Sequence, residues 1–271
     1  MSEMYGSDAF SPKEVSERVN SIGVAKIKLP LLSLIMLGIL AGAFIGLGAL
    51  YYVLIKSDLA LGFALSQVLG GLAFSLGLIL VIIAGAELFT GNNLLVMAWA
   101  DNKITTFEIL KNWTVVLSAN FIGASGLAVL VFLSGHNEMN NGAIAEQYIK
   151  IAIIKTNLPF WSAFFKGILC NILVCMAVWM AYAGRTVIDK VVVVIFPVSA
   201  FVAAGFEHCI ANMYIIPLAI LEQTFGNTTH EIATVSWSGF ISNIVPVMMG
   251  NLVGGSLFVA LVYHVIYQRN A

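Results

Sequence analysis

Ala84-Gly85-Ala86-Glu87-Leu88-Phe89-Thr90-Gly91-Asn92 lies deep inside a long apolar stretch, and its outline returns 120 positions later as Ala204-Gly205-Phe206-Glu207-His208-Cys209-Ile210-Ala211-Asn212. The shared frame is Ala-Gly-x-Glu-x4-Asn. Carboxylates, amides and one histidine thus fall where hydrocarbon would offer them no partners, and intramembrane groups of this kind mark function. A break repeated at corresponding places in two halves is the signature of an inverted-repeat channel or transporter, with its site near the midplane.

Composition supports a membrane setting. The chain has 271 residues, of which 60% are hydrophobic and 10% charged; soluble domains carry about 25% charged residues. Formal net charge is -1 with no basic block, which argues against nucleic acid as a partner. Cys170, Cys175 and Cys209 sit in apolar spans without metal-ligand or disulfide spacing and read as small hydrophobes. The first thirty residues are mostly polar and do not resemble a secretory leader.

Residues 1–29 read as an amphipathic, interfacial N-terminal segment, and 30–268 as one transmembrane domain. Ser11, Pro12 and Glu14 supply a capping box. Val15, Val19, Ile22 and Ala25 then share a face, while Lys13, Glu14, Glu17 and Arg18 stay wet. Such a helix lies on the membrane or gates a pore.

Six spans are expected: about Pro30–Ile55, Leu59–Ala100, Ile109–Ser134, Phe160–Tyr182, Val191–Leu221 and Phe240–Tyr267. The second and fifth exceed the roughly 20 residues that one helix needs to cross, and each is interrupted by polar residues. Helices two and five are therefore expected to be broken. Asn112-x7-Asn120-x2-Gly123-x-Ser125 matches Asn243-x7-Asn251-x2-Gly254-x-Ser256, and Gly38-Ile39-Leu40 echoes Gly167-Ile168-Leu169. Two inverted three-helix repeats follow, about 30–135 and 160–268, since an odd number of crossings turns the second half over. With both termini cytoplasmic, Lys13, Arg18, Lys26, Lys28, Lys103, Lys111, Arg185, Lys190 and Arg269 lie inside. Lys56, Lys150, Lys155 and Lys166 lie outside, which fits the positive-inside rule.

Comparison of the halves sorts the polar residues. Glu87 matches Glu207, Asn92 matches Asn212 and Gly85 matches Gly205, as expected of a scaffold that satisfies backbone freed by each break. Leu88 stands opposite His208 and Thr90 opposite Ile210, so the asymmetric pair His208 and Thr90 is expected to face the conduit. Histidine can donate to an anion or relay a proton near neutral pH. Lys155, in the external 136–160 connection, either draws anions to a mouth or is an ordinary interfacial lysine. Asn171 either lines the pore or joins helices. His136 and His230 fall in connections and His264 near the cytoplasmic end, leaving His208 without histidine partners for a metal. No nucleotide motif or serine elbow occurs, so no cofactor, metal or catalytic residue is expected.

Three stretches carry a resemblance to the formate/nitrite transporter family: Gly85-Ala-Glu87-Leu-Phe-Thr90-Gly, Gly167-Ile-Leu-Cys-Asn171-Ile-Leu-Val174-Cys and Gly205-Phe-Glu207-His208-Cys-Ile-Ala-Asn212-Met. The likeness runs through essentially the whole chain. Within the family, Val174 to Lys190 looks most like the bacterial formate channels, whereas Gly91-Asn92-Asn93 departs from the enteric pattern. The resemblance implies an all-α, aquaporin-like fold and a homopentamer in the bacterial inner membrane, with a pore in each protomer and no conduction through the central hole. It implies small monovalent weak-acid anions as substrates, formate first, with nitrite or hydrosulfide as alternatives. It makes His208 the central pore histidine, Thr90 the loop threonine, Lys155 the vestibule lysine, Asn171 and Asn212 pore-side asparagines and Glu207 the histidine's acidic neighbour. Phe74, Leu78, Leu88, Val174 and Phe201 align with residues of two constrictions. Two other classes compete: a neutral-solute or water channel, which calls for Asn-Pro-Ala at both breaks, and a membrane redox subunit, which calls for clustered ligands.

Overall fold

The computed structural model describes residues 8–226 and 234–268; Arg269, His230 and the first seven residues lie outside the described residues. Helix α1, Pro12–Ile27, starts at the Ser11–Glu14 capping box and buries Val15, Val19, Asn20 and Gly23 against the protein. Ala25 remains exposed, and Arg18 does not stay wet: its guanidinium stacks 4.1 Å from the Phe10 ring centroid, with Arg185 4.0 Å from the same ring.

Among the described residues, five segments are long and apolar enough to cross a membrane: Leu31–Lys56 (α2), Phe63–Gly85 (α3, Phe63–Leu80, and a π turn, Val81–Gly85), Thr106–Leu133 (α5), Phe160–Ala183 (α7) and Trp237–Tyr267. The last comprises α10, Trp237–Val253, a π stretch, Gly254–Leu261, and α11, Val262–Tyr267. The remaining apolar region divides into α8, Val187–Ala203, and α9, Cys209–Phe225. The chain is a multi-pass membrane protein. Large apolar side chains such as Leu40, Leu130, Phe165 and Phe196 stay exposed on its flanks, as a lipid-facing surface requires.

Several helices begin earlier than hydropathy suggests, because capping residues decide where a helix starts. Thr105–Glu108 and Thr186–Asp189 form capping boxes, and Ser236 caps α10. After α3 the backbone leaves the helix at Gly85, whose φ of 79° suits glycine, and resumes as a 3-10 turn, Gly91–Leu95, and α4, Val96–Ala100. After α8 it turns at Gly205, φ 69°, and resumes at Cys209. The 136–160 connection, expected to be no more than a link between spans, holds a further helix α6, Ala143–Thr156. Its fourteen residues are too few to cross, and Glu146, Gln147 and Lys150 keep its hydropathy low.

The halves pack alike. Helix α2 packs on α5 and α3 as α7 packs on α10 and α8, while α3 and α8 meet across the middle. Close approach at the α2–α5 crossing depends on Gly123, where an added Cβ would run into the Ile39 carbonyl; Gly254 faces the Ile168 carbonyl in the same way. A Gly123→Val substitution is therefore expected to destabilise the fold by about 1–3 kcal/mol, the usual range for overpacking. A lower midpoint of thermal unfolding in detergent would show it.

Candidate functional site

Each break is held by one asparagine from the following long helix. On α5, Asn120 Nδ2 donates to the Gly38 and Glu87 carbonyls (2.7 and 2.9 Å), and its Oδ1 accepts from Phe89 N–H (2.9 Å). On α10, Asn251 Nδ2 donates to the Gly167 and Glu207 carbonyls (2.8 and 2.9 Å), and its Oδ1 accepts from Cys209 N–H (3.0 Å). These amides satisfy backbone groups that the helix breaks release, in a place without water to do so.

The paired carboxylates, expected to satisfy freed backbone, bond side chains instead, and the asparagines of the long helices hold the backbone. Glu207 accepts both Lys155 Nζ (2.9 and 3.0 Å) and Asn212 Nδ2 (2.7 Å), and Asn212 continues to Asn243 Oδ1 (2.7 Å). Across the molecule Glu87 accepts Lys26 Nζ (2.7 Å) and Asn92 Nδ2 (2.8 Å), and Asn92 continues to Asn112 Oδ1 (3.0 Å). Lys26, at the end of α1, is a site residue that the sequence pattern does not single out. A signal was present: Lys26-x2-Leu29-Pro30 reappears as Lys155-x2-Leu158-Pro159, at the same 129-residue offset as Gly38 and Gly167. Helices α1 and α6 therefore correspond, and each half is a short helix with its lysine followed by the long helices. Both lysines lie near the pole where a helix C-terminus attracts cations.

Between these networks sit His208 and Thr90. Thr90 Oγ1 lies 3.0 Å from His208 Nε2, and both residues are buried, 0% and 3% exposed. His208 is also the N-cap of α9, its Nδ1 accepting from Ala211 N–H at 3.2 Å. A nitrogen that accepts carries no proton, so the neutral ring holds its proton on Nε2 and donates it toward Thr90. The Thr90 carbonyl takes Asn171 Nδ2 (3.2 Å), Asn93 Nδ2 (3.2 Å) and Cys175 Sγ (3.4 Å). Asn171 also donates to the Asn251 carbonyl (2.7 Å), tying the Thr90 loop to both α7 and α10. It lines neither of the two cavities that flank the His208–Thr90 contact.

One cavity, of about 380 Å³, is lined by Lys26, Glu87, Asn92, Gly85, Leu78 and Leu88 among others. The second, about 320 Å³, is lined by Lys155, Glu207, Asn212, Gly205, Phe74, Phe201 and His208 among others. No residue lines both. Phe74 and Phe201 meet edge to face, centroids 5.8 Å apart, and Phe201 stacks on His208 at 6.0 Å. Thr90 and Val174 line neither cavity and are fully buried between them.

The family model for formate/nitrite transporters matches residues 13–265. The chain belongs to the formate/nitrite transporter family. It is 40% identical to the transporter YrhG of Bacillus subtilis strain 168, over 95% of this chain and 94% of that one. It is 37% identical to the formate channel FocA of Escherichia coli strain K12, over 97% of this chain and 96% of the other. A solved pentameric formate channel with formate bound superposes with a TM-score of 0.83 at 39% identity, covering 88% of this chain and 98% of its own. The formate/nitrite transporter family moves solutes and is not a family of enzymes. Within it, this chain places a threonine–histidine contact between two lysine–carboxylate–asparagine clusters.

Proposed function

We propose that each protomer is a channel for a small monovalent weak-acid anion, formate first, assembled as a homopentamer in a bacterial inner membrane. The observation that carries this reading is the Thr90–His208 contact, buried between two cavities that each hold a lysine. Similarity to a formate channel from Escherichia coli and to a pentameric channel with formate bound supports both substrate and assembly. Six crossings with cytoplasmic termini are supported by the excess of lysine and arginine on one side. The Lys155 cavity then opens outside and the Lys26 cavity inside.

In this scheme Lys26 and Lys155, each paired with a carboxylate, offer their remaining N–H donors to anions at the mouths, and apolar side chains strip water between them. Phe74 and Phe201 form the outer pinch, Leu78, Leu88 and Val174 the inner one. A bare anion between these pinches loses hydration, which hydrogen-bond donors must replace. His208 Nε2–H and the Thr90 hydroxyl are such donors, placed where the anion passes. While Ala211 N–H occupies Nδ1, the ring works as a neutral donor; charging it requires releasing that cap bond. Glu87, Asn92 and their partners Glu207 and Asn212 keep the broken helices open around the path.

Stopped-flow uptake of formate, nitrite and hydrosulfide by proteoliposomes tests the substrate. Formate should be fastest. Faster nitrite or hydrosulfide would move the substrate within the family, and no flux of any of the three would overturn the channel reading.

A further inference from the structure

The two cavities can be compared position by position, because the halves correspond. Ile22 pairs with Ile151, Lys26 with Lys155, Glu87 with Glu207 and Asn92 with Asn212, each residue lining its own cavity. Leu88 and His208 differ, as do Val81 and Phe201, but the pair that adds a formal charge is another: Leu37 lines the Lys26-side cavity where Lys166 lines the other. Lys56 and Gln67 also line the Lys155-side cavity, and the residues at matching positions do not line the Lys26-side one.

Charge follows from that difference. Lys26 is neutralised by Glu87 and Lys155 by Glu207, so both matched pairs leave little net field. Lys56 and Lys166 have no carboxylate partner among the described residues. The lining of one cavity therefore includes three lysines against one carboxylate, and that of the other a single lysine against a single carboxylate. Lys56 is held in place by neutral groups only: its Nζ donates to Gln67 Oε1 (2.6 Å), and Gln67 Nε2 is fixed on the Ala203 carbonyl (2.8 Å). Its stem passes over Gly70, where a Cβ would lie 3.6 Å from Lys56 Cδ and 2.9 Å from the Tyr52 ring. The amide anchors the ammonium without cancelling its charge, and ammonium has further donors to offer an anion.

We propose that Lys56 and Lys166, with Gln67 bracing Lys56, form an anion-capture site in the Lys155-side cavity that lets this face fill with small monovalent anions at lower concentration than the opposite face. The inference rests on the channel reading and goes beyond it by giving the two faces different affinities. A passive pore has one permeability for both directions, so the lower half-saturating concentration on this face comes with a proportionately lower saturating rate. At roughly 6 Å in water one unit charge changes the local anion concentration about threefold, and two change it roughly tenfold. The difference between faces should vanish in high salt, where screening falls to about 3 Å.

The test uses right-side-out and inside-out membrane vesicles from cells making the full chain, with tracer formate and the membrane potential clamped at zero. Wild type should half-saturate at several-fold lower formate on the Lys155 face. The double variant Lys56→Gln, Lys166→Leu should bring the two faces within about twofold, as should 1 M inert salt for wild type. Leu37→Lys should lower the half-saturating concentration of the opposite face. Equal half-saturation on both faces of wild type, or a ratio unmoved by the double variant, overturns the capture site and leaves the channel reading standing. Wild-type vesicles that pass none of formate, nitrite or hydrosulfide overturn the channel reading and this inference with it.

Discussion

His208→Leu lowers formate flux into proteoliposomes by about ten- to a hundredfold. The ring Nε2–H is one of two donors at the buried crossing, 3.0 Å from Thr90 Oγ1, and leucine leaves Thr90 alone to replace the lost water. A hydrogen bond to a charged group contributes about 1.5–3 kcal/mol, and each 1.4 kcal/mol is a factor of ten in rate. His208→Gln keeps an N–H donor on a side chain of similar reach and should retain flux within about threefold. Its pH profile should follow wild type, because a ring whose Nδ1 accepts from Ala211 N–H acts without gaining a proton. Both variants also lose or alter the N-cap of α9, worth about 1 kcal/mol, so protein yield and unfolding midpoint must be measured alongside. Leucine-variant flux equal to wild type would remove His208 from the path.

Asn251→Ala should be the most destabilising single change in the molecule, with Asn120→Ala close behind. Each asparagine makes three hydrogen bonds to main-chain groups around a break, and each is fully buried. Truncation leaves the Gly167 and Glu207 carbonyls and the Cys209 N–H without that partner. At about 1–3 kcal/mol for each buried group left unsatisfied, the loss is on the order of 3–9 kcal/mol, comparable with the whole stability of a typical domain. Expression of well-folded protein should collapse for Asn251→Ala. A monodisperse variant with an unchanged midpoint of thermal unfolding would show that the breaks are held by other means.

The symmetric scaffold was legible because the bilayer makes polar residues conspicuous. Glu87, Asn92, Asn112 and Asn120, and their mates 120 or 131 positions later, stand out from apolar runs whatever the local helix propensity. Even the short Gly38/Gly167 echo marks a real contact, since each carbonyl is bonded by the matched asparagine. What hydropathy hid was everything outside hydrocarbon. Helix α6 is too polar and too short to register as a span, and α1 reads as a surface helix by its charges. Only their ends show the kinship, through Lys-x2-Leu-Pro, a pattern weak enough to be lost among ordinary interfacial lysines. Lys26 therefore reads in sequence as a topology charge, while the structure puts it on Glu87 at 2.7 Å. Asn171 illustrates another limit: sequence could place it at midplane depth but not say whether its amide faces a cavity or the Thr90 carbonyl, which depends on helix rotation.

The most direct test of the central claim compares formate with glycerol and water in proteoliposomes of the purified wild-type protein. Two lysine-bearing cavities on either side of the buried Thr90–His208 contact predict, on the proposed channel reading, fast formate uptake that is independent of any energy source, with glycerol and water permeation no faster than in empty liposomes. Glycerol or water moving quickly while formate does not would contradict the account, and would make this pore a path for neutral solutes.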